Sequence, residues 1–299
     1  MAPRTDRALT ALRPLAISQS LLSRSDGSAQ FSFGNVTVLT SVTGPVEVRL
    51  RDEVVDRATL EFNLVPLVHS ATPGPAVKAM EETVRHLFTP VIVATAYPRS
   101  LIQITAQTVS KPLTDFAEPL STRLEDSKGK GKATSSSLSG ASERAARINA
   151  ISVALIDAGV QLRGVLVAVA VAVLADADDS RELVLDPTER EELDAASTHV
   201  VTVSYGLGVG GDEGEIVGVE SIGTFTDDEL FAAHDLGLNA TATILGFVRK
   251  SVEAKYGVTD PRPSPTTTAT RTSGNEVKMC VAEEGRDMSD DDDDDEVMI

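Results

Sequence analysis

The run VLVAVAVAVLAD, Val165 to Asp176, constrains the fold more than any other stretch of this chain. It is apolar at every position until its last residue and rich in β-branched valine. A strand with one wet face alternates apolar and polar side chains; a strand covered on both faces does not. The run therefore predicts a central strand with a layer on each side, which requires an α/β architecture rather than a simple sandwich.

The flanking pattern agrees. A helix is expected from about Ser142, whose hydroxyl is placed to cap it, through Ile148, Ile151 and Leu155 to Gly159. Weaker strands fit Glu182 to Leu185, His199 to Tyr205 and Glu215 to Gly223, and Thr226-Asp227-Asp228-Glu229 is a capping box ahead of a helix reaching about Tyr256. The first half repeats the theme. Phe31, Phe33, Val36, Val38, Thr40 and Val42 keep a two-residue period around the turn residues Gly34-Asn35. A third strand fits Thr59 to Pro66, a helix carries Val77, Met80, Val84, Leu87 and Phe88, and a strand follows from Leu101 to Val109. Two similar β-α halves are implied.

Two segments have too little to bury. Residues 121–142 are rich in Ser, Gly and Lys and read as a mobile low-complexity insertion, and residues 259–299 read as a disordered acidic tail, leaving 1–258 for the folded domain. The tail holds 12 acids and 4 bases, net −8, so the body keeps −10 of the chain's −18. A solitary sequence-independent RNA binder normally presents a basic surface. RNA contact is thus expected only through a local patch or beside basic partners. With 41% hydrophobic residues the 299-residue chain has ample core, yet no apolar run approaches the length of roughly 20 residues that spans a bilayer. The N-terminus lacks the apolar region of a signal peptide, so a soluble, intracellular protein is expected.

The usual chemical motifs are absent or out of context. The lone Cys280 permits no internal disulfide, and His69, His86, His199 and His234 lack ligand spacing, so neither a metal nor another cofactor is expected. GLGVGG satisfies G-x-G-x-x-G at Gly206, Gly208 and Gly211, but DEGEIVGVES resumes a strand and puts acids where a pyrophosphate needs a helix start; a hairpin is the better reading. The Gly129 to Lys132 piece lacks P-loop spacing and reads as linker. Two features remain. Arg49, Arg51 and Arg57 crowd one loop among Glu47, Asp52, Glu53 and Asp56; with Arg99 they are the RNA-contact candidates, the alternative being a merely solvated loop. LVLDPTEREELDAA sets Asp186 and Glu192 after a strand, which suits either a carboxylate pair for metal or proton work or an ordinary acidic helix start.

These blocks, taken in order, resemble the RNase PH family. The likeness lies in an N-terminal RPL, DGSAQFSFGNVTVLTSVTGP, LEFNLVPL, MEETVRHL, NAISVALIDAGV, the apolar strand and the acidic turn, and covers residues 7 to 257. Within that family the chain is most similar to core subunits of the eukaryotic RNA exosome. The resemblance implies an RNase PH fold, like that of ribosomal protein S5 domain 2, with two stacked β-α halves in six-membered rings around an RNA channel. Active members cleave RNA from its 3' end with inorganic phosphate, using a Gly-Gly-Thr-Arg loop at a helix N-terminus, an Arg on the first-half helix and two Asp six apart.

Carried over, the acid pair falls on Asp186 and Glu192, the phosphate loop on Ala141, Ser142, Glu143 and Arg144, and the helix Arg on Lys78. Glu143 replaces the hydroxyl donor with a group that repels an anion, and Lys78 trades a bidentate fork for a point charge. The resemblance therefore implies a non-catalytic ring subunit with degenerate positions Asp186, Glu192, Arg144 and Lys78. It would support RNA threading beside other RNase PH-like subunits in a hetero-hexameric ring, S1/KH cap subunits and a hydrolytic subunit, in nucleus, nucleolus and cytoplasm. An active phosphorolytic 3'-5' exoribonuclease and a stand-alone RNA-binding homo-oligomer are the alternatives.

Overall fold

A computed structural model describes residues 7–67, 74–111, 139–175, 181–206, 208, 211–257, 270–271 and 276–279. The first half forms β1 (Leu15–Gln19), β2 (Gly27–Phe33), β3 (Val36–Glu47), β4 (Thr59–Val65), α1 (Pro75–Phe88), a 3-10 turn (Ala94–Ala96) and β5 (Ser100–Ser110). In β3 the buried positions alternate as its two-residue period requires. Strand β1, which the sequence patterning did not single out, pairs antiparallel with β2 from Leu15 opposite Phe33 to Gln19 opposite Ala29. The meander β1-β2-β3-β5 is antiparallel, and α1 leads the chain from β4 to its parallel neighbour β5. The outer edge of β4 is partly covered: Glu81 of α1 accepts from the Leu64 N–H at 3.1 Å, which removes a free donor from a sheet edge.

The second half comprises α2 (Ala141–Asp157), β6 (Val165–Ala175), β7 (Arg181–Leu185), α3 (Glu189–Asp194), β8 (Ser197–Gly206), β9 (Gly211–Gly223) and α4 (Asp227–Tyr256). Its sheet runs β7-β6-β8-β9. Helix α2 packs on β2, β3 and β5 of the first sheet and on β6 and β8 of the second, so it is buried almost all round. That is why its sequence, ASERAARINAISVALID, is rich in small residues rather than striped. Helix α4 also packs against β6 and β8, giving β6 a helix on both faces, as its unbroken apolar run requires.

One buried polar contact locks this arrangement. β6 pairs with β7 only from Val171 onward, so among the described residues the Ala168 backbone lacks a strand partner on that side. Asn149 of α2 supplies one: its amide donates to the Ala168 carbonyl at 2.9 Å, and its oxygen accepts from the Ala168 N–H at 2.7 Å. Both buried backbone groups are thereby satisfied.

Gly159 stands at φ 69 just past α2, as a helix terminator should. Thr226 caps α4 and Thr188 caps α3, each in a capping box with the Glu three residues on. Ser142 does not cap α2, because it lies inside the first turn and its hydroxyl donates to the Pro187 carbonyl at 2.7 Å; the N-cap is Gly140. GLGVGG joins β8 to β9 as an antiparallel hairpin with Gly206 opposite Gly211. His199 is a core residue, hydrogen bonded to Ser197 (3.0 Å) and Ser221 (2.8 Å), and burial lowers its pKa. His86 is exposed beside Glu82.

Within the segment read as a disordered tail, the backbone forms β10 (Thr270–Arg271) and β11 (Glu276–Met279), and β11 pairs with the edge of β1. The remainder of that tail, residues 112–138 with most of the low-complexity insertion, His69 and Cys280 lie outside the described residues. No described helix is long and apolar enough to cross a membrane.

Candidate functional site

The acidic turn and the start of α2 meet where the two halves join. Asp186 follows β7 in a left-handed conformation (φ 48), which turns the chain sharply into Pro187 and the Thr188 cap of α3. The turn is fixed by the Asp186 N–H donating to the Ala170 carbonyl of β6 at 2.8 Å. α3 then carries Glu192 back toward α2.

Asp186 is 1% exposed, and its carboxylate is occupied. The Arg13 backbone N–H and Nε each donate to Oδ2 at 2.9 Å, and Arg13 Nη2 donates to Oδ1. Arg7 adds a donor to the Asp186 carbonyl and a 3.5 Å contact to Oδ2. Burial alone would lower the Arg13 pKa; Asp186, with help from Glu192 and Glu191, raises it instead. This is a fork-on-carboxylate clamp joining residues 173 apart in sequence.

Glu192 lies at the N-terminus of α2, where its Oε1 accepts from the Ser142 N–H at 2.8 Å. Unpaired N–H groups and the positive end of the helix dipole favour an anion there. Gly140 makes the approach possible, because a Cβ at that position would overlap the Glu192 carboxylate. Burial pushes the Glu192 pKa up, only partly offset by the Ser142 N–H and by the more distant charges of Arg13 and Lys111. Beside it is a cavity of about 30 Å³ lined by Ser139, Gly140, Ala141, Arg144 and Glu192 from this side and by β8 and β9 from the other.

Glu143, expected to repel an anion at the helix start, faces elsewhere. One helical residue rotates the side chain by about 100°, and Glu143 Oε1 accepts from Thr108 (2.6 Å) and Arg147 (2.7 Å), with Lys111 at 3.7 Å. Burial lowers the Arg147 pKa despite Glu143 beside it. Arg144 does point into the cavity region, held by Glu220 of β9 at 3.1 Å, with its Nε lacking a partner among the described residues. The group that meets the helix N–H is therefore Glu192, not Glu143.

Of the four degenerate site positions, Asp186, Glu192 and Arg144 are brought to this junction. Lys78 stands exposed on α1 and does not line the cavity. Arg7, Arg13, Lys111, Arg147 and Glu220 complete the charge network and were not assigned from the sequence, although Arg13 belongs to the RPL block. No cluster of His, Cys, Asp and Glu suited to a metal occurs among the described residues.

The arginine loop lies between β3 and β4. Arg99 joins it, since its N–H donates to the Val54 carbonyl at 3.2 Å and its guanidinium meets Glu53 at 3.4 Å. Arg51 pairs with Asp52 and Arg57 with Asp56, and Arg49 is exposed. Leu50, 90% exposed, and Val55, 66% exposed, stand among them. All four arginines thus reach solvent, most with a local acid alongside.

Residues 11–161 match the 3' exoribonuclease family, domain 1 (RNase PH), and residues 164–240 match domain 2 of that family. The chain is similar to the protein named exosome complex component RRP46 of Saccharomyces cerevisiae, at 28% identity over 233 residues, 78% of this chain and 92% of that protein. It is also similar to exosome complex component Rrp41 of Archaeoglobus fulgidus, at 32% identity over 193 residues, 62% of each. Among solved structures, rice (Oryza sativa) Rrp46 shares the fold with TM-score 0.65 and 22% identity, covering 83% of this chain and 98% of that one.

Proposed function

The chain belongs to the RNase PH family of 3' exoribonucleases, and from that premise we propose that it is a non-catalytic ring subunit of an RNA exosome. Its relatives named as exosome components, matched along most of their length in the yeast case, support the assembly. In this role it packs beside other RNase PH-like subunits and lends arginines 49, 51, 57 and 99 to an RNA path, while a separate hydrolytic subunit cuts and S1/KH subunits cap the ring. The expected setting is nucleus, nucleolus and cytoplasm.

The observation that carries the non-catalytic reading is the occupancy of the junction. Phosphorolysis needs free cations and N–H donors around the incoming phosphate and free carboxylates for proton or metal work. Here Arg144 is paired to Glu220, Asp186 is clamped by Arg13, and the α2 N-terminus holds Glu192. Loss of one preorganised donor ordinarily lowers a rate by about 10²- to 10³-fold, and several are engaged at once.

The test is incubation of the purified chain with single-stranded RNA and inorganic phosphate. The expected result is no release of nucleoside diphosphates above a protein-free blank; phosphate-dependent release would establish an active phosphorolytic enzyme instead. Co-expression with RNase PH-like partners followed by gel filtration should give a mixed ring, whereas a stable assembly of this chain alone would favour the homo-oligomer.

A further inference from the structure

The first sheet has two edges, and each is guarded in its own way. On one side Glu81 takes the Leu64 N–H of β4 at 3.1 Å. On the other side lies β1, whose outer N–H and C=O groups would otherwise stand as a template for another strand. The chain covers that template with its own C-terminal segment: β11 pairs antiparallel with β1, from Leu15 opposite Met279 to Ser18 opposite Glu276, and β10 pairs with β11 in turn. Three observations make the pairing specific. β11 reads Glu-Val-Lys-Met, and the register sets Val277 opposite Ile17 and Met279 opposite Leu15, so its two apolar residues fall at the positions of two buried apolar residues of β1. The hairpin exchanges a five-residue edge for a two-residue one, Thr270 and Arg271, and the sequence before it carries Pro261, Pro263 and Pro265, which offer no N–H to a ladder. The end of α4 is fastened beside β1, since Ser251 accepts from Gln19 Nε2 at 3.2 Å and Lys255 Nζ donates to Ser20 at 2.6 Å. The chain therefore leaves α4 at the end of β1 where β11 begins.

We propose that the outer edge of β1 is an interaction surface for a second copy of this chain, and that the β10–β11 hairpin is a built-in cover that keeps it closed. The edge is self-complementary. A two-fold axis through Ile17 sets Leu15 of each copy opposite Gln19 of the other in an antiparallel pair, so the same five residues serve on both sides. The cover competes as a tethered strand, at an effective concentration on the order of millimolar that the second copy has to exceed. Hairpin and second copy need the same backbone groups, so each excludes the other. Withdrawing the hairpin turns a closed edge into a dimerisation surface and leaves both halves of the fold as they are. The inference stands apart from the Asp186 and Glu192 junction and does not depend on whether the chain cleaves RNA.

The experiment follows the full chain by hydrogen exchange at β1 and by sedimentation. Val277→Pro takes an N–H out of β11, which lies between β1 and β10. The β1 amides that face β11 should then exchange about ten-fold faster, the weight of one hydrogen bond, while those paired with β2 keep their protection. The mean mass should climb with concentration toward that of a dimer. Unchanged exchange at β1 overturns the cover, and faster exchange in a chain that associates no more than wild type overturns the docking surface. If circular dichroism shows Val277→Pro unfolded, Val277→Asp with Met279→Asp sets acids opposite Ile17 and Leu15 and is read in the same way. The cis pairing has its own check. In a Cys280→Ser background, Ala16→Cys with Lys278→Cys puts two thiols at directly opposite positions, within disulfide reach. A cross-link within one chain is expected; a cross-link only between chains, or none, overturns the cover.

Discussion

Replacing Asp186 by Ala should unfold this protein more readily, because the residue anchors the N-terminal segment to the second sheet. In the folded chain Arg13 is almost wholly buried and sends a backbone N–H and two guanidinium donors to the one carboxylate. Deleting that carboxylate leaves a buried cation and a buried amide without their main acceptor. Breaking a buried ion pair from one side costs about 3 to 5 kcal/mol; Glu191 and Glu192 still favour the Arg13 charge, which places the loss near the lower figure. With a urea dependence of about 2 kcal/mol per molar, 3 kcal/mol lowers the unfolding midpoint by about 1.5 M. The assay is urea unfolding followed by far-UV circular dichroism. Arg13→Met with Asp186→Leu removes both charges and should recover part of the loss, to within about 2 kcal/mol of wild type, the remainder reflecting the unpaired Arg13 N–H. A midpoint for Asp186→Ala within about 0.3 M of wild type would refute the anchoring role. So would single-variant costs that simply add in the double variant, since that result means no coupling.

Other consequences can be measured in the same way. Because burial raises the Glu192 pKa in the fold, its contribution is fully present below the ordinary value of 4.5 and is lost as pH rises through the folded value; Glu192→Gln should therefore gain in Tm relative to wild type between pH 4 and pH 7.5, and a constant difference would count against it. Asp157 behaves oppositely. Burial would raise its pKa, but the hydrogen bonds from Lys255, Ser28 and Ser20 lower it, so its stabilisation exists above the ordinary 3.8 and fades as pH falls through the folded value; Lys255→Met should cost most at pH 7 and progressively less as pH falls below 3.8. Asn149→Leu strands the Ala168 N–H and carbonyl and should cost about 2 to 4 kcal/mol by urea unfolding; a neutral result would mean water replaces the amide. Alanine at Arg49, Arg51, Arg57 and Arg99 together should weaken single-stranded RNA binding by the assembled ring and flatten its salt dependence, read by fluorescence anisotropy at two ionic strengths.

The sequence determined most of the architecture through periodicity. VLVAVAVAVLAD could only be a doubly covered strand, Thr226 to Glu229 only a helix start, and Gly159 only a helix end, since each depends on neighbours within a few residues. β1 is not legible in the sequence because LAISQ is short and its partner β2 supplies the pairing that defines it. The resemblance to RNase PH enzymes located Asp186, Glu192 and Arg144, but not what their charges do. That was decided by tertiary structure: whether a carboxylate is free depends on which cation lies beside it, and Arg13 reaches Asp186 across 173 positions and Ser142 reaches Glu192 across 50. Glu143 shows the same limit, since a rotation of one helical step turned the acid that sequence placed at the anion site toward Thr108 and Arg147. Local pattern fixes where a side chain starts, and packing fixes which charge it meets.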